Sequence, residues 1–125
     1  MNRWPVVIDC NDSDLRNRLG AVLSGSGLRL DEPPLPPVAG LVVVHDVGLD
    51  VLASRVAAHR SRGSYRRLAI LAALPGLAAP ELRRLIDAGA DACLPLPCDD
   101  ELFAARAASL LRRLEPPAGP HPSDG

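Results

Sequence analysis

Short apolar runs alternate with helix-forming segments along the chain, and this alternation restricts the fold more than any other feature. Most of the runs are rich in β-branched or aliphatic residues and lack polar residues at alternate positions, a pattern typical of strands buried on both faces. Strands of this kind that alternate with helices form a parallel sheet covered by helices. The five predicted strands are Val6–Ile8, Leu28–Leu30, Leu41–Val44, Leu68–Leu71 and Ala92–Leu94.

The link between the second and third predicted strands is unusual. It contains four prolines in the five positions from Pro33 to Pro37, and proline disrupts a helix interior. We therefore predict that the helix between these strands is missing or replaced by a proline-rich segment. The remaining pattern predicts a single α/β domain with three layers and a flavodoxin-like, five-stranded parallel sheet of order 2-1-3-4-5.

Composition excludes several functional classes. Aromatic residues make up only 2% of the chain and the net charge is −1, so neither a stacking platform nor a basic surface for nucleic acid is expected. The apolar start is interrupted by Asp9, which is atypical of a signal peptide or a membrane span. We expect a cytoplasmic protein with reduced cysteines and no contact with membranes.

Two regions differ in composition. Residues 1–114 contain all the predicted strands and helices, and residues 115–125 are rich in proline and glycine. The second region has the composition of a linker or a disordered tail.

The stretch Asp87–Pro97, together with Glu101 and Leu102, resembles the end of the receiver domain of bacterial response regulators. The resemblance lies in the sequence Ala-Gly-Ala-Asp followed by a short strand, a Leu-Pro pair and a helix that ends in basic residues. It implies a receiver-like domain in which an aspartate accepts a phosphoryl group beside Mg²⁺. By position, the family's phosphorylation pocket falls on Cys10, Asn11, His45, Asp46, Ala72 and Leu96.

These residue types are poorly suited to the chemistry that the resemblance implies. A thiol and an amide replace two carboxylates, Ala72 has no hydroxyl, and Leu96 stands where the family has a lysine. The phosphoacceptor position is either His45 or Asp46, and Asp46 is the vestigial candidate. We expect no cofactor, although Asp9 and Asp12 are weak candidates for Mg²⁺ ligands if the pocket still works.

The sequence therefore favours a degenerate receiver that is not an enzyme and that acts by protein contact in bacterial signalling or transcription control. The resemblance implies that its partner is a signalling protein or an output domain, with a homodimer through the last two helices as one possibility. The alternative is a phosphoacceptor domain that uses Asp46. A nucleotide-binding or catalytic domain is disfavoured because no glycine-rich strand-to-helix loop or nucleophile–base pair is recognisable. Candidate interface residues are Arg83, Arg84, Asp87, Glu101 and Arg106.

Overall fold

A computed structural model describes residues 4–31 and 39–114. Within these ranges the chain forms four strands and four helices in strict alternation. None of the described helices is long and apolar enough to cross a membrane. The elements in chain order are β1 (Val6–Asp9), α1 (Ser13–Gly25), β2 (Gly40–His45), α2 (Leu49–Arg60), β3 (Leu68–Leu74), α3 (Ala79–Ala88), β4 (Ala92–Pro95) and α4 (Asp100–Arg113).

The sheet separates two apolar layers. On one face, α1 and α4 pack through Leu19, Leu23 and Phe103 against alternate residues of the strands. On the other face, α2 contributes Leu52 and Val56, and α3 contributes Leu85. Successive strand residues point to opposite faces, so β2 sends Leu41 and Val43 into the first layer and Val42 and Val44 into the second. The predicted α/β architecture with a parallel sheet is confirmed.

The predicted five-stranded sheet is wrong. The described residues form four parallel strands in the order β1-β2-β3-β4. The segment predicted as the second strand, Leu28–Leu30, makes one isolated parallel bridge from Leu30 to Val6 beside β1. Two backbone hydrogen bonds, between Val6 and the residues Arg29 and Asp31, form this bridge. Leu30 is exposed, so the segment buries little apolar surface that could stabilise a longer ladder. The predicted absence of a helix falls on residues 32–38, which lie outside the described residues, as does the predicted tail 115–125.

Asp91, part of the stretch that carries the resemblance, is a structural hub. Its side chain is 4% exposed. Oδ2 accepts hydrogen bonds from the Ile70 backbone N–H at 2.8 Å and from Arg60 at 2.6 Å, and Oδ1 accepts from Arg113 at 2.9 Å. Arg60 also donates to the Gly89 carbonyl. The aspartate therefore joins β3, the end of α2 and the end of α4.

Candidate functional site

The carboxyl ends of the parallel strands place the predicted pocket residues at one edge of the sheet. Strand alternation divides these residues between the two faces. His45, the last residue of β2, and Cys10, which follows β1, are both buried on the face covered by α1 and α4. The Cys10 Sγ and His45 Nδ1 atoms lie 3.6 Å apart. A thiol–imidazole pair therefore lies at this edge of the sheet, among the residues that the sequence resemblance assigns to the pocket.

Asp9 and Asp46 lie on the opposite face, next to α2. Arg55 donates from Nη2 to the Asp9 carboxylate and from Nη1 to Asp46 Oδ2 at 3.2 Å. The same guanidinium donates to the backbone carbonyls of Asp9 and His45. His59 Nε2 lies 2.8 Å from Asp9 Oδ2. Arg55 therefore links the ends of β1 and β2 and compensates both carboxylates.

These contacts favour the charged form of both aspartates. The hydrogen bond from His59, aided by the positive charge of Arg55, lowers the pKa of Asp9 although burial opposes the shift. The backbone N–H of Gly48 donates to Asp46 Oδ1 at 3.0 Å and lowers the pKa of Asp46, with Arg55 adding to the effect. Asp46 is therefore an ionised turn residue held before α2, rather than a group that faces the thiol–imidazole pair.

In contrast to Asp9 and Asp46, the thiol–imidazole pair favours its uncharged forms. Burial raises the pKa of Cys10, and burial lowers the pKa of His45. Both shifts favour the neutral form, because removing a group from water penalises its charge. The two groups at the centre of the pocket are thus an uncharged thiol and an uncharged imidazole at neutral pH.

The hydroxyl position predicted at Ala72 does not face this pair. Ala72 packs in the layer under α2 and α3, whereas His45 pairs in register with Ala73. Ala73 also lacks a hydroxyl, so either residue leaves the pocket without that donor. Leu96 does line the pocket beside Pro97, while Asn11 is exposed in the turn before α1.

The residues at this edge do not fit Mg²⁺. The ion requires oxygen ligands in octahedral geometry, but the thiol–imidazole pair of Cys10 and His45 supplies sulfur and nitrogen. Asp12 caps α1 by accepting from the Leu15 N–H at 3.1 Å, and Asp9 is held by Arg55 and His59. Among residues 4–31 and 39–114, no group of three or more acidic, histidine or cysteine side chains is arranged to hold a metal ion.

A cleft of about 300 Å³ opens over the thiol–imidazole pair between α1 and the loop after β4. Most of its lining is apolar. The charged residues Asp12, Arg18 and Asp100 also line it, and Arg18 and Asp100 form an exposed ion pair at 3.9 Å. The lining residues of the apolar part include Leu15, Leu19, Val47, Leu96, Pro97 and Phe103.

The five candidate interface residues lie on α3 and α4. Arg84 of α3 turns towards α2 and donates to Asp50 at 2.6 Å. Arg83 and Asp87 form an exposed pair within α3 at 4.0 Å. Glu101 and Arg106 are exposed on α4. The helices α3 and α4 flank β4, which is the last strand of the described sheet.

The apolar pattern of α3 is also informative. Its spacing in the sequence predicts that Leu82, Leu85 and Ile86 form the inner face, but only Leu85 is buried. Leu82 and Ile86 are about two-fifths exposed, as is Leu102 on α4. Exposed aliphatic side chains are thus present on both helices beside β4.

Arg55 is the residue that sequence reasoning misses. Its side chain forms ion pairs with both aspartates that remain at the strand ends. In the sequence, Arg55 belongs to a group of basic residues at the end of α2 and in the loop that follows. Such a group is typical of a solvated helix end. The sequence feature that could have identified Arg55 as a partner of the aspartates is its position one helical turn before His59, on the helix that follows Asp46.

No protein-family model matches the sequence. No curated protein matches it either. The structure is similar to that of an orphan response regulator of H. pylori, with a TM-score of 0.70, 18% identity, and coverage of 89% of this chain and 98% of that chain. It is equally similar to a structure described as an atypical orphan response regulator with a phosphorylation-independent regulatory mechanism, with a TM-score of 0.70, 18% identity, and coverage of 90% and 98%.

A third similar structure is a putative pilus assembly-related protein from Burkholderia pseudomallei, with a TM-score of 0.75, 11% identity, and coverage of 90% of this chain and 92% of that chain. At sequence identities of 11–18%, these similarities establish the fold but not the activity. The chain has the receiver-like fold of response regulators, as the sequence resemblance predicts. Because one fold carries many functions, the activity must be argued from the residues of this chain.

Proposed function

We propose that this chain is a phosphorylation-independent pseudo-receiver, a non-enzymatic module of a cytoplasmic bacterial signalling or transcription-regulatory protein that acts by protein contact. One observation carries the proposal. Arg55 compensates Asp9 and Asp46 on the α2 face, while Cys10 and His45 occupy the pocket face. Phosphoryl transfer requires a metal and cationic groups that offset the developing charge. On the pocket face a thiol and an imidazole stand in place of oxygen ligands for the metal, and Arg18 pairs with Asp100.

The structural neighbours support the same proposal. One of them is described as an atypical orphan regulator with a phosphorylation-independent mechanism. This chain keeps the packed helix and sheet layers of a receiver-like fold, while its pocket face carries an uncharged thiol and imidazole. Such a domain is suited to regulation without phosphorylation. By analogy, the output of this chain would be set by what binds its surface.

The test is an amide NMR titration of the full chain, first with Mg²⁺ and then with Mg²⁺ and beryllofluoride, which mimics an acyl phosphate. We expect no saturable shifts localised to the strand ends. Arg55→Met is the informative variant because it removes the guanidinium that both carboxylates share. Arg62→Met is its control, because the Arg62 side chain donates to the Ala58 carbonyl near the end of α2, away from both aspartates. Localised, saturable shifts in the unmodified protein would overturn the proposal.

The second candidate is a phosphoacceptor domain that uses Asp46. Its support is position, since Asp46 directly follows β2. The engagement of Asp46 by Gly48 and Arg55 disfavours it. Incubation with acetyl phosphate and Mg²⁺, followed by intact mass measurement, separates the two functions. Addition of one phosphoryl group that disappears in Asp46→Asn would establish the second candidate.

The contact surface that we propose lies on α3 and α4, the helices beside β4. It combines the exposed aliphatic residues Leu82, Ile86 and Leu102 with charged neighbours. Exposed apolar groups rimmed by charge are typical of interaction sites. The occupant would be a signalling protein, an output domain or a second copy of the chain.

Sedimentation velocity over a concentration series tests the homodimer. We expect self-association to weaken in the double variant Ile86→Glu and Leu102→Glu. It should persist in Val51→Glu, because Val51 is an exposed aliphatic residue on α2, outside the proposed surface. Equal weakening by both changes would contradict the assignment of the surface to α3 and α4.

A further inference from the structure

The cleft above His45 has a mostly apolar lining, with the charged residues Asp12, Arg18 and Asp100 also present. Leu15, Leu19, Leu96 and Phe103 form much of its wall. Its volume of about 300 Å³ exceeds that of an apolar cavity of about 150 Å³ that holds benzene, an example known from another protein. A molecule of two fused rings therefore fits by size. Small-molecule sites are typically mostly apolar, with a few polar groups that fix orientation.

His45 supplies such a polar group. The Cys10 Sγ atom lies 3.5 Å from the Asp12 carbonyl oxygen and 3.6 Å from His45 Nδ1. A carbonyl oxygen only accepts, so a thiol proton directed to it leaves Sγ as the acceptor for His45 Nδ1. In this arrangement Nδ1 carries the proton of the neutral ring, and Nε2 is the acceptor.

No described residue donates to His45 Nε2. Although His45 as a whole is only 7% exposed, this atom is not fully buried, since among the described residues only His59 Nδ1 is a buried side-chain nitrogen without a partner. His45 Nε2 is therefore accessible from the cleft that the residue lines. The charged residues around the cleft do not provide the partner. Asp12 caps α1, and Arg18 pairs with Asp100. A ligand that brings its own donor would complete the hydrogen bonding of the imidazole.

We propose that this cleft binds a small uncharged molecule with an apolar, ring-sized body and one hydroxyl or N–H group that donates to His45 Nε2. Anions are disfavoured because the one cation of the described lining, Arg18, pairs with Asp100, and Asp12 and Asp100 together leave the lining with a net negative charge. The inference goes beyond the contact function proposed above and does not depend on it. It gives the module a chemical input at the place where related domains are phosphorylated.

The experiment uses the full chain, labelled with ¹⁵N, and two probes of equal shape. Indole has an N–H donor, and benzofuran has an ether oxygen in its place. We expect saturable amide shifts at Leu15, Leu96 and Phe103 with indole, and binding about fivefold weaker for benzofuran, the ratio that corresponds to one net hydrogen bond. Equal affinity for the two probes would overturn the donor assignment, and shifts centred on the separate groove near Gly20 and Asp31, or no saturable shifts, would overturn the site.

His45→Phe should remove the preference for indole while keeping an apolar cleft. His59→Gln is the control, because His59 lies on the opposite face beside Asp9. A direct measurement covers the case in which His45→Phe does not fold. The ¹⁵N resonances of the imidazole in the unmodified protein should report a proton on Nδ1 and an Nε2 signal that moves on addition of indole. A proton on Nε2 would refute the inference.

Discussion

Replacing Asp91 with alanine should cost more stability than any surface change in this chain. The carboxylate is almost fully buried and accepts from Ile70, Arg60 and Arg113. Its removal leaves the Ile70 N–H unsatisfied, at a cost of about 1–3 kcal/mol. Arg60, which is only 12% exposed on its side chain, loses its carboxylate as well. Breaking a buried ion pair from one side costs about 3–5 kcal/mol, so we expect a loss of about 4 kcal/mol in the free energy of unfolding.

Urea unfolding followed by far-UV circular dichroism measures this loss. With a slope of about 2 kcal/mol per molar urea for a domain of this size, the midpoint should fall by roughly 2 M. Asp87→Ala is the matched control, because Asp87 is exposed and pairs only loosely with Arg83. It should change stability by no more than about 0.5 kcal/mol.

Two further variants locate the source of the loss. Asp91→Asn keeps an acceptor for the Ile70 N–H but removes the charge, so its effect should be intermediate. Arg113→Gln removes a half-exposed partner and should cost at most about 1 kcal/mol. A loss in Asp91→Ala no greater than that of Asp87→Ala would refute the role of Asp91 as a buried hub.

Three other predictions test the site and the backbone. Asp9 has a folded pKa below its unfolded value of 3.8, so its stabilising contribution is complete above that value and is lost as pH falls through the folded pKa. In urea titrations, the stability difference between the unmodified protein and Asp9→Asn should therefore shrink below about pH 4. A constant difference would contradict the ion-pair account. Gly40 has φ of 102°, and a Cβ there would collide with the Pro5 carbonyl. Gly40→Ala should therefore lower the free energy of unfolding by about 2 kcal/mol or more, measured by thermal unfolding. Gly25→Ala is the control and should be neutral or slightly stabilising, because a Cβ at Gly25 meets nothing within 4 Å. Burial raises the pKa of Cys93 to about 11 from 9.0, so at pH 8 alkylation by iodoacetamide should be about 100-fold slower than in urea; similar rates, read by peptide mass, would show that the thiol is not shielded.

The apolar runs of the sequence were sufficient to locate β1, β2, β3 and β4, since aliphatic segments without alternating polar residues are typical of strands in a covered sheet. Pro80 lies in the first turn of α3, a position where its missing N–H costs no helix hydrogen bond. The failures have a common origin. Leu28–Leu30 has the composition of a strand but makes one bridge, and Leu82 and Ile86 repeat at helical spacing but remain exposed. Pattern indicates which residues could be buried, whereas the available partner surface decides which ones are.

By itself, the sequence determined that the chain forms alternating strands and helices, and its resemblance to receiver domains predicted a pocket without the residues that hold a phosphoryl group and its metal. Only the tertiary structure decided the roles of adjacent residues at the strand ends. Asp9 and Cys10 are neighbours in the chain, yet strand alternation turns one towards Arg55 and the other towards His45. Arg55 reaches Asp9 across 46 positions, a pairing that local sequence cannot encode because it depends on how α2 packs over the sheet.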